Sequence, residues 1–242
     1  MTVRLAAVGD VHIGRDSTGQ LAAGLAGIAA QADALLLAGD LTHRGRPDEA
    51  KVLAGELAGL DLPIVAVLGN HDYHCDQQDE VAAVLADTGV HMLEGSAVTL
   101  ELGGRCVGIA GTKGFGGGFA GKHGSEFGEP EMKAFVRSSV RLAAGLREAM
   151  TGLDADLRIA LLHYSPVAET LAGEPPEIFP FLGSYLLAEA VDSVGADLVL
   201  HGHAHRGSRT GVTPGGIPVR NVAQPVIGRA YEIFEFGATS DS

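Results

Sequence analysis

Cysteine is scarce in this 242-residue chain, which holds only Cys75 and Cys106. Two thiols do not make a disulfide framework, and they are expected to be reduced, as in a cytosolic protein. Bases are outnumbered too, with 17 Lys and Arg against 30 Asp and Glu and a formal net charge of −13. They are scattered along the chain and form no stripe, which excludes a broad track for nucleic acid or an anionic membrane. No apolar run is long enough to span a bilayer. The opening residues, MTVRLAAVGDVH, lack the basic region and long apolar core of a secretory signal, so the expected compartment is cytoplasmic. Repeats and inter-domain linkers are missing as well, and residues 1–242 read as one domain. What is there is 46% hydrophobic, enough for a large core.

Apolar runs and helical patterns alternate through the first half. Residues 3–9, 34–39 and 63–68 read as buried strands, each with a glycine at or just after its end. Between them, TGQLAAGLAGIAAQ and PDEAKVLAGELAGL have helical spacing, the second opened by Pro47. That order predicts parallel strands joined by crossover helices. After a third helix, QDEVAAVLAD, the stretch AVTLELGGRCVGIAG reads as a hairpin about Gly103 and Gly104, which adds antiparallel strands. Residues 129–151 form the longest expected helix. Further strands are expected at LRIALLH, DLVLHGH, IPVRNVA and YEIFEF, with a helix around YLLAEAVDSV. Residues 112–128 and 165–184 read as long loops, a kind of segment that is either functional or mobile.

Of ten histidines, three (His201, His203 and His205) crowd into HGHAH, directly after an apolar strand. Alone, this could be a surface turn. Other strand ends supply partners: Asp10 and His12 in GDVHIG, Asp40 in GDLTHRG, Asn70 and His71 in GNHDYH, and His163 in LLHYSP. Each has an ordinary explanation by itself, such as a helix cap or turn for an Asp and a hydrogen-bonded core position for His163. Ligands of parallel α/β sheets, however, bind at the carboxyl ends of strands. Five strand ends bearing oxygen or imidazole donors point to metal. The donor set, without thiolate, suits Mn, Fe, Zn, Co or Ni. A bridging carboxylate can hold two such ions roughly 3.5–4 Å apart, the separation that clamps an in-line phosphoryl displacement. On an extended backbone His203 and His205 share a side, spaced to reach two adjacent ions; alternation puts His201 on that side too, and a strand or supporting role is expected for it.

The ordered set DVH, GDLTHRG, GNHD, LLH and GHAH resembles the calcineurin-like metallophosphoesterase superfamily, from Asp10 to His205. The resemblance implies an α/β fold in which two mixed β-sheets pack as a sandwich with flanking helices, four layers in all. It implies one divalent or mixed-valence transition-metal ion on Asp10, His12, Asp40 and His205. A second would lie on Asp40, Asn70, His163 and His203, with Asp40 bridging. A metal-bound hydroxide would attack in line, and His71 would contact the phosphate and protonate the leaving alkoxide, a task suited to imidazole. The family's phosphoserine and phosphothreonine phosphatases carry a supporting Asp where His43 stands here, which disfavours a protein phosphatase. The compact chain is more similar to small bacterial members that hydrolyse phosphodiesters. A phosphodiesterase on a small nucleotide-like substrate is therefore the expected function. A phosphomonoesterase on a small metabolite and a catalytically silent metal-binding scaffold are the alternatives.

Expected substrate contacts come from the loops. Arg44 is placed near phosphate or, equally, in an exposed turn. GFGGGFAGKHG reads as a lid, with Phe115 stacking on a base and Lys122 and His123 near phosphate, or as a connector whose phenylalanines fill a local pocket. It is no nucleotide-binding P-loop, because no Gly-Lys-Ser/Thr helix start follows. Phe179 and Phe181 read as buried against the domain, with a substrate rim or a homo-oligomer contact as alternatives. His74 and Cys75 are expected to serve packing.

Overall fold

The computed structural model describes residues 2–237. Its first half runs β1 (Val3–Val8), α1 (Gln20–Leu25), β2 (Ala34–Ala38), α2 (Pro47–Leu57), β3 (Ile64–Val67), α3 (Gln78–Ala86) and β4 (His91–Met92). The hairpin of β5 (Ser96–Leu102) and β6 (Arg105–Thr112) follows, then a small hairpin of β7 (Gly118–Phe119) and β8 (Lys122–His123). Next come α4 (Pro130–Thr151), β9 (Leu157–Leu162), α5 (Phe179–Leu182), α6 (Tyr185–Val194) and β10 (Leu198–His201). The described chain closes with β11 (Thr210–Val212), β12 (Pro218–Asn221), α7 (Gln224–Ile227) and β13 (Glu232–Phe236).

Two large mixed sheets result, ordered β13-β1-β2-β3-β4 and β11-β12-β10-β9-β6-β5. In the first, β1 to β4 are parallel and β13 is antiparallel to β1. In the second, β6, β9, β10 and β12 are parallel, and β5 and β11 run antiparallel at the edges.

The period of two along each strand divides its side chains between two cores. Leu5, Ala7, Leu36, Val65 and Val67 meet Ile109, Ile159, Leu161 and Leu200 between the sheets. The alternate residues, among them Ala6, Val8, Leu35 and Leu37, pack under α1, α2 and α3 through Leu25, Leu53 and Leu85. On the far side Ala160, Leu162 and Val199 lie under α4 and α6. The buried residues of α4, Ser139, Ala143, Leu146 and Met150, recur at helical spacing and form one stripe. Both faces of the central strands are thus covered, which is why they read as unbroken apolar runs. The architecture is the expected four-layer sandwich.

The differences are local. The helix expected over TGQLAAGLAGIAAQ stops at Leu25, because Gly27 takes a left-handed φ of 76° and only a 3-10 turn, Ile28–Ala30, follows. The 112–128 segment contains the β7–β8 hairpin, and the 165–184 segment contains two 3-10 turns and α5. Among the described residues, no helix is long and apolar enough to cross a membrane.

Candidate metal centre

The carboxyl ends of β1, β2 and β3 meet those of β9 and β10 across the gap between the sheets. The His163 ring, just after β9, donates from Nδ1 to the Ala38 carbonyl oxygen of β2 at 2.9 Å. The His203 amide, just after β10, donates to both oxygens of Asp10 at 3.1 and 3.0 Å. Close approach requires glycine here: a side chain at Gly69 would run into Asp40, and one at Gly202 into Asp10.

Two groups of donors form at this edge. Asp10, His12, Asp40 and His205 bring one ligand atom each to within 4.8 Å of one another, and so do Asp40, His163 and His203. Asp40 belongs to both. Asn70 joins the second group, its Oδ1 lying 2.9 Å from His163 Nε2. Asp10, Asp40 and His163 are almost completely buried. Asp10 (φ 60°), His12 (φ 45°), Asp40 (φ 50°) and His203 (φ 70°) all have left-handed backbones, a conformation costly for residues with side chains. Among the described residues only one other non-glycine, Asp76, shares it. Strain concentrated on four clustered donors marks a site shaped for something other than stability.

The electrostatics suit a cation. Burial lowers His12 to about 4 and His203 to about 3, and it takes His163 well below the ordinary range, so these rings are neutral at pH 7. Burial pushes Asp10 up to about 6, while a 2.8 Å bond to Asp10 raises His205. His12 Nδ1 is buried with no hydrogen-bond partner. Two buried carboxylates side by side and neutral imidazoles, with His12 Nε2 3.7 Å from Asp40 Oδ2, fit divalent ions held by nitrogen and oxygen.

His71 follows Asn70 in a short 3-10 turn, and its amide donates to Asp40 Oδ1 at 2.8 Å. Its Nδ1 lies 2.8 Å from the His43 carbonyl oxygen. A carbonyl only accepts, so Nδ1 carries hydrogen and Nε2 takes no part in that bond. The backbone at position 43 thus orients the ring, and the neighbouring Asp72 does not. Asp72 is fully buried and accepts four bonds, from the amides of Leu41, Thr42 and Gly69 and from the Thr42 hydroxyl. It ties the loop after β2 to the loop after β3. Asp72→Ala would strand buried donors at about 1–3 kcal/mol each, so a loss of roughly 3 kcal/mol or more is expected in urea denaturation of the metal-free protein.

Other expected contacts are distributed differently. Arg44 is exposed beside a cleft that His12 also lines. Phe115 does not project as a base-stacking lid. It is half-buried, 5.1 Å from the Phe135 ring and 5.8 Å from Tyr164, because these aromatics offer it a larger apolar contact than solvent does. Lys122 and His123 are exposed on β8, and the His123 ring faces Tyr185. Phe179 packs with Leu171, Leu182 and Ala204, whereas Phe181 is exposed. His201 is buried between Thr170 Oγ1 and the Gly202 carbonyl, a structural position.

Lys113 went unmarked by the sequence, although it directly follows β6 and the strand-end rule would have found it. Its Nζ is buried within about 5 Å of the Tyr73, Phe115 and Tyr164 ring centres and donates to the Gly114 carbonyl, and burial lowers its pKa.

The sequence pattern of calcineurin-like phosphoesterases matches residues 3–207. The chain belongs to the calcineurin-like phosphoesterase family. Membership makes this phosphoesterase a metal-binding hydrolase of phosphate esters by class. Its fold is similar to phosphopantetheinyl hydrolase from Mycobacterium tuberculosis, with a TM-score of 0.65 at 17% identity over 90% of this chain and 88% of that one. The protein TT1561 of Thermus thermophilus is similar at a TM-score of 0.54 and 17% identity, over 97% and 99% of the two chains. GAP50, the anchor in the inner membrane complex of Plasmodium, is similar at 0.57 and 11%, over 93% and 72%. At these identities the likeness is one of fold. No curated protein matches the sequence.

Proposed function

We propose that this phosphoesterase is a dinuclear phosphodiesterase acting on a small, nucleotide-like ester. The observation that carries the reading is the pair of donor groups sharing Asp40. Asp10, His12, Asp40 and His205 would hold one ion, and Asp40, Asn70, His163 and His203 the other. Two such ions, when bound, lower the pKa of water and neutralise charge growing on phosphate oxygens.

The chain's own groups do the rest. His163 is fixed by the Ala38 carbonyl so that Nε2 faces Asp40 and Asn70. His71, held at Nδ1, presents Nε2 to the leaving oxygen and delivers a proton there. The cleft beside His12, about 550 Å³, supplies room for the second organic arm that distinguishes a diester from a monoester.

The deciding experiment compares bis-p-nitrophenyl phosphate with p-nitrophenyl phosphate, using protein stripped of metal and reloaded with Mn²⁺. Metal-dependent preference for the diester supports the reading. Preference for the monoester makes this a metabolite phosphatase, and no turnover of either by the metal-loaded protein counts against catalysis on simple esters.

Metal binding should also depend on pH in a stated direction. An ion on Asp10 and His205 competes with protons for both groups, Asp10 being raised to about 6 and His205 above its usual value. Affinity is therefore expected to fall as pH drops from 7.5 through 6, by roughly tenfold per unit for each proton displaced. Calorimetry in two buffers of different ionisation enthalpy would count those protons, and zero release would contradict the assignment.

A further inference from the structure

We propose that the cleft beside His12 is a subsite for a second anionic group, a phosphate carried on the organic arm of the ester. The inference rests on the reading that the reacting phosphate sits at the donor groups around Asp40.

His12 belongs both to the Asp40 cluster and to the cleft wall. His43, also in that wall, has its ring 6.4 Å from His12 and 6.3 Å from His71. The cleft therefore begins where the reacting phosphate would end. Beyond the histidines its wall carries Arg15, Arg44 and Arg46, a concentration of guanidinium in a chain of net charge −13.

Those charges are available. Arg44 and Arg46 have no carboxylate partner among the described residues. Arg15 pairs with Asp48 at 2.5 Å, but the two side chains are 60% and 46% exposed, and a pair so open to solvent is weak and easily exchanged. Two acids share the wall, Asp16 and Glu49. Glu49 is buried and its Oε2 is engaged by the Arg44 and Arg46 amides at 2.8 and 3.4 Å, which turns it toward the backbone. Asp16 is exposed.

Guanidinium groups bind phosphate through paired N–H bonds, and a cluster of them left without carboxylates suits a dianion. A volume of about 550 Å³ exceeds what one phosphate fills, so the fitting ligand is an organic arm that ends in, or carries, a phosphate. The substrate class is a phosphorylated alcohol joined through a phosphodiester, such as a nucleoside that bears a further phosphate away from the scissile bond.

Two measurements test the subsite separately from catalysis. Inorganic pyrophosphate is titrated calorimetrically into metal-stripped protein, parent and the double variant Arg15→Gln/Arg46→Glu. Both side chains are exposed, and melting curves would verify the fold. Binding to the parent, weakened roughly tenfold or more in the variant, is expected. No binding to the parent, or equal affinity in both, overturns the subsite.

Metal-loaded protein is then given thymidine 5′-p-nitrophenyl phosphate with and without a 3′-phosphate. The extra phosphate should lower KM roughly tenfold in the parent, and the variant should lose that ratio. Equal KM values in the parent overturn the proposal. If neither ester is hydrolysed, the phosphodiesterase reading fails while the calorimetry still decides the cleft.

Discussion

Protein carrying Asp40→Ala, reconstituted with Mn²⁺ and desalted, is expected to hold well under one ion per chain, and its hydrolysis of phosphate esters should fall by roughly 10³-fold or more. Asp40 is the only residue common to both donor groups, and it is 1% exposed, so no water-filled space offers a substitute ligand. Its carboxylate also receives the His71 amide, so its removal frees the turn that carries the proposed acid. Metal analysis showing two retained ions would take Asp40 out of its bridging position. Asp16→Ala, an exposed acid on the cleft rim, serves as the control and should retain the full complement.

His71→Asn separates chemistry from metal binding. The variant should keep its ions, since His71 is in neither donor group. Turnover of an ester with a poor, alkyl leaving group should drop by about 10²–10⁴, the usual value of a positioned general acid. A p-nitrophenyl ester, whose leaving group departs with little protonation, should lose far less. The contrast between leaving groups is the informative readout, because a merely structural defect would depress both alike. Equal rates for parent and variant on the alkyl ester would remove His71 from the reaction.

Much of the fold was legible because the central strands are covered on both faces, and strands such as ALLLA can hardly be anything else. The donor residues were legible for a related reason: parallel strands share a carboxyl edge, so Asp10, Asp40, Asn70, His163 and His203 had a common destination before any distance was known. What stayed hidden depends on contacts distant in sequence. The Gly-rich composition around Phe115 left a lid and a connector with inward-facing phenylalanines equally open, and only the positions of Phe135 and Tyr164 draw that ring inward. Asp72 stood beside a supposed catalytic residue, and nothing local revealed that its carboxylate binds the loops of two strands. β4, β7, β8 and β11 are each two or three residues long, too short for alternation to show. The arginines of the cleft were visible in sequence, Arg15 after GDVHIG, Arg44 within GDLTHRG and Arg46 just after it, but that Arg44 and Arg46 lack acidic partners among the described residues is a property of the fold alone.

The bond between Asp10 and His205 joins residues 195 positions apart, and β1 lies between β2 and a last strand, β13, supplied by residues 232–236. A chain emerging from the ribosome makes Asp10, His12 and Asp40 long before His203 and His205 exist. Until then Asp10 and Asp40 lack two of their four imidazole partners, and the edge of β1 that β13 later covers is open to mispairing. Such long-range closure slows folding. The assembled donor groups therefore exist only after residues 203–205 have been made, and an ion that needs all of its donors would be loaded after that point.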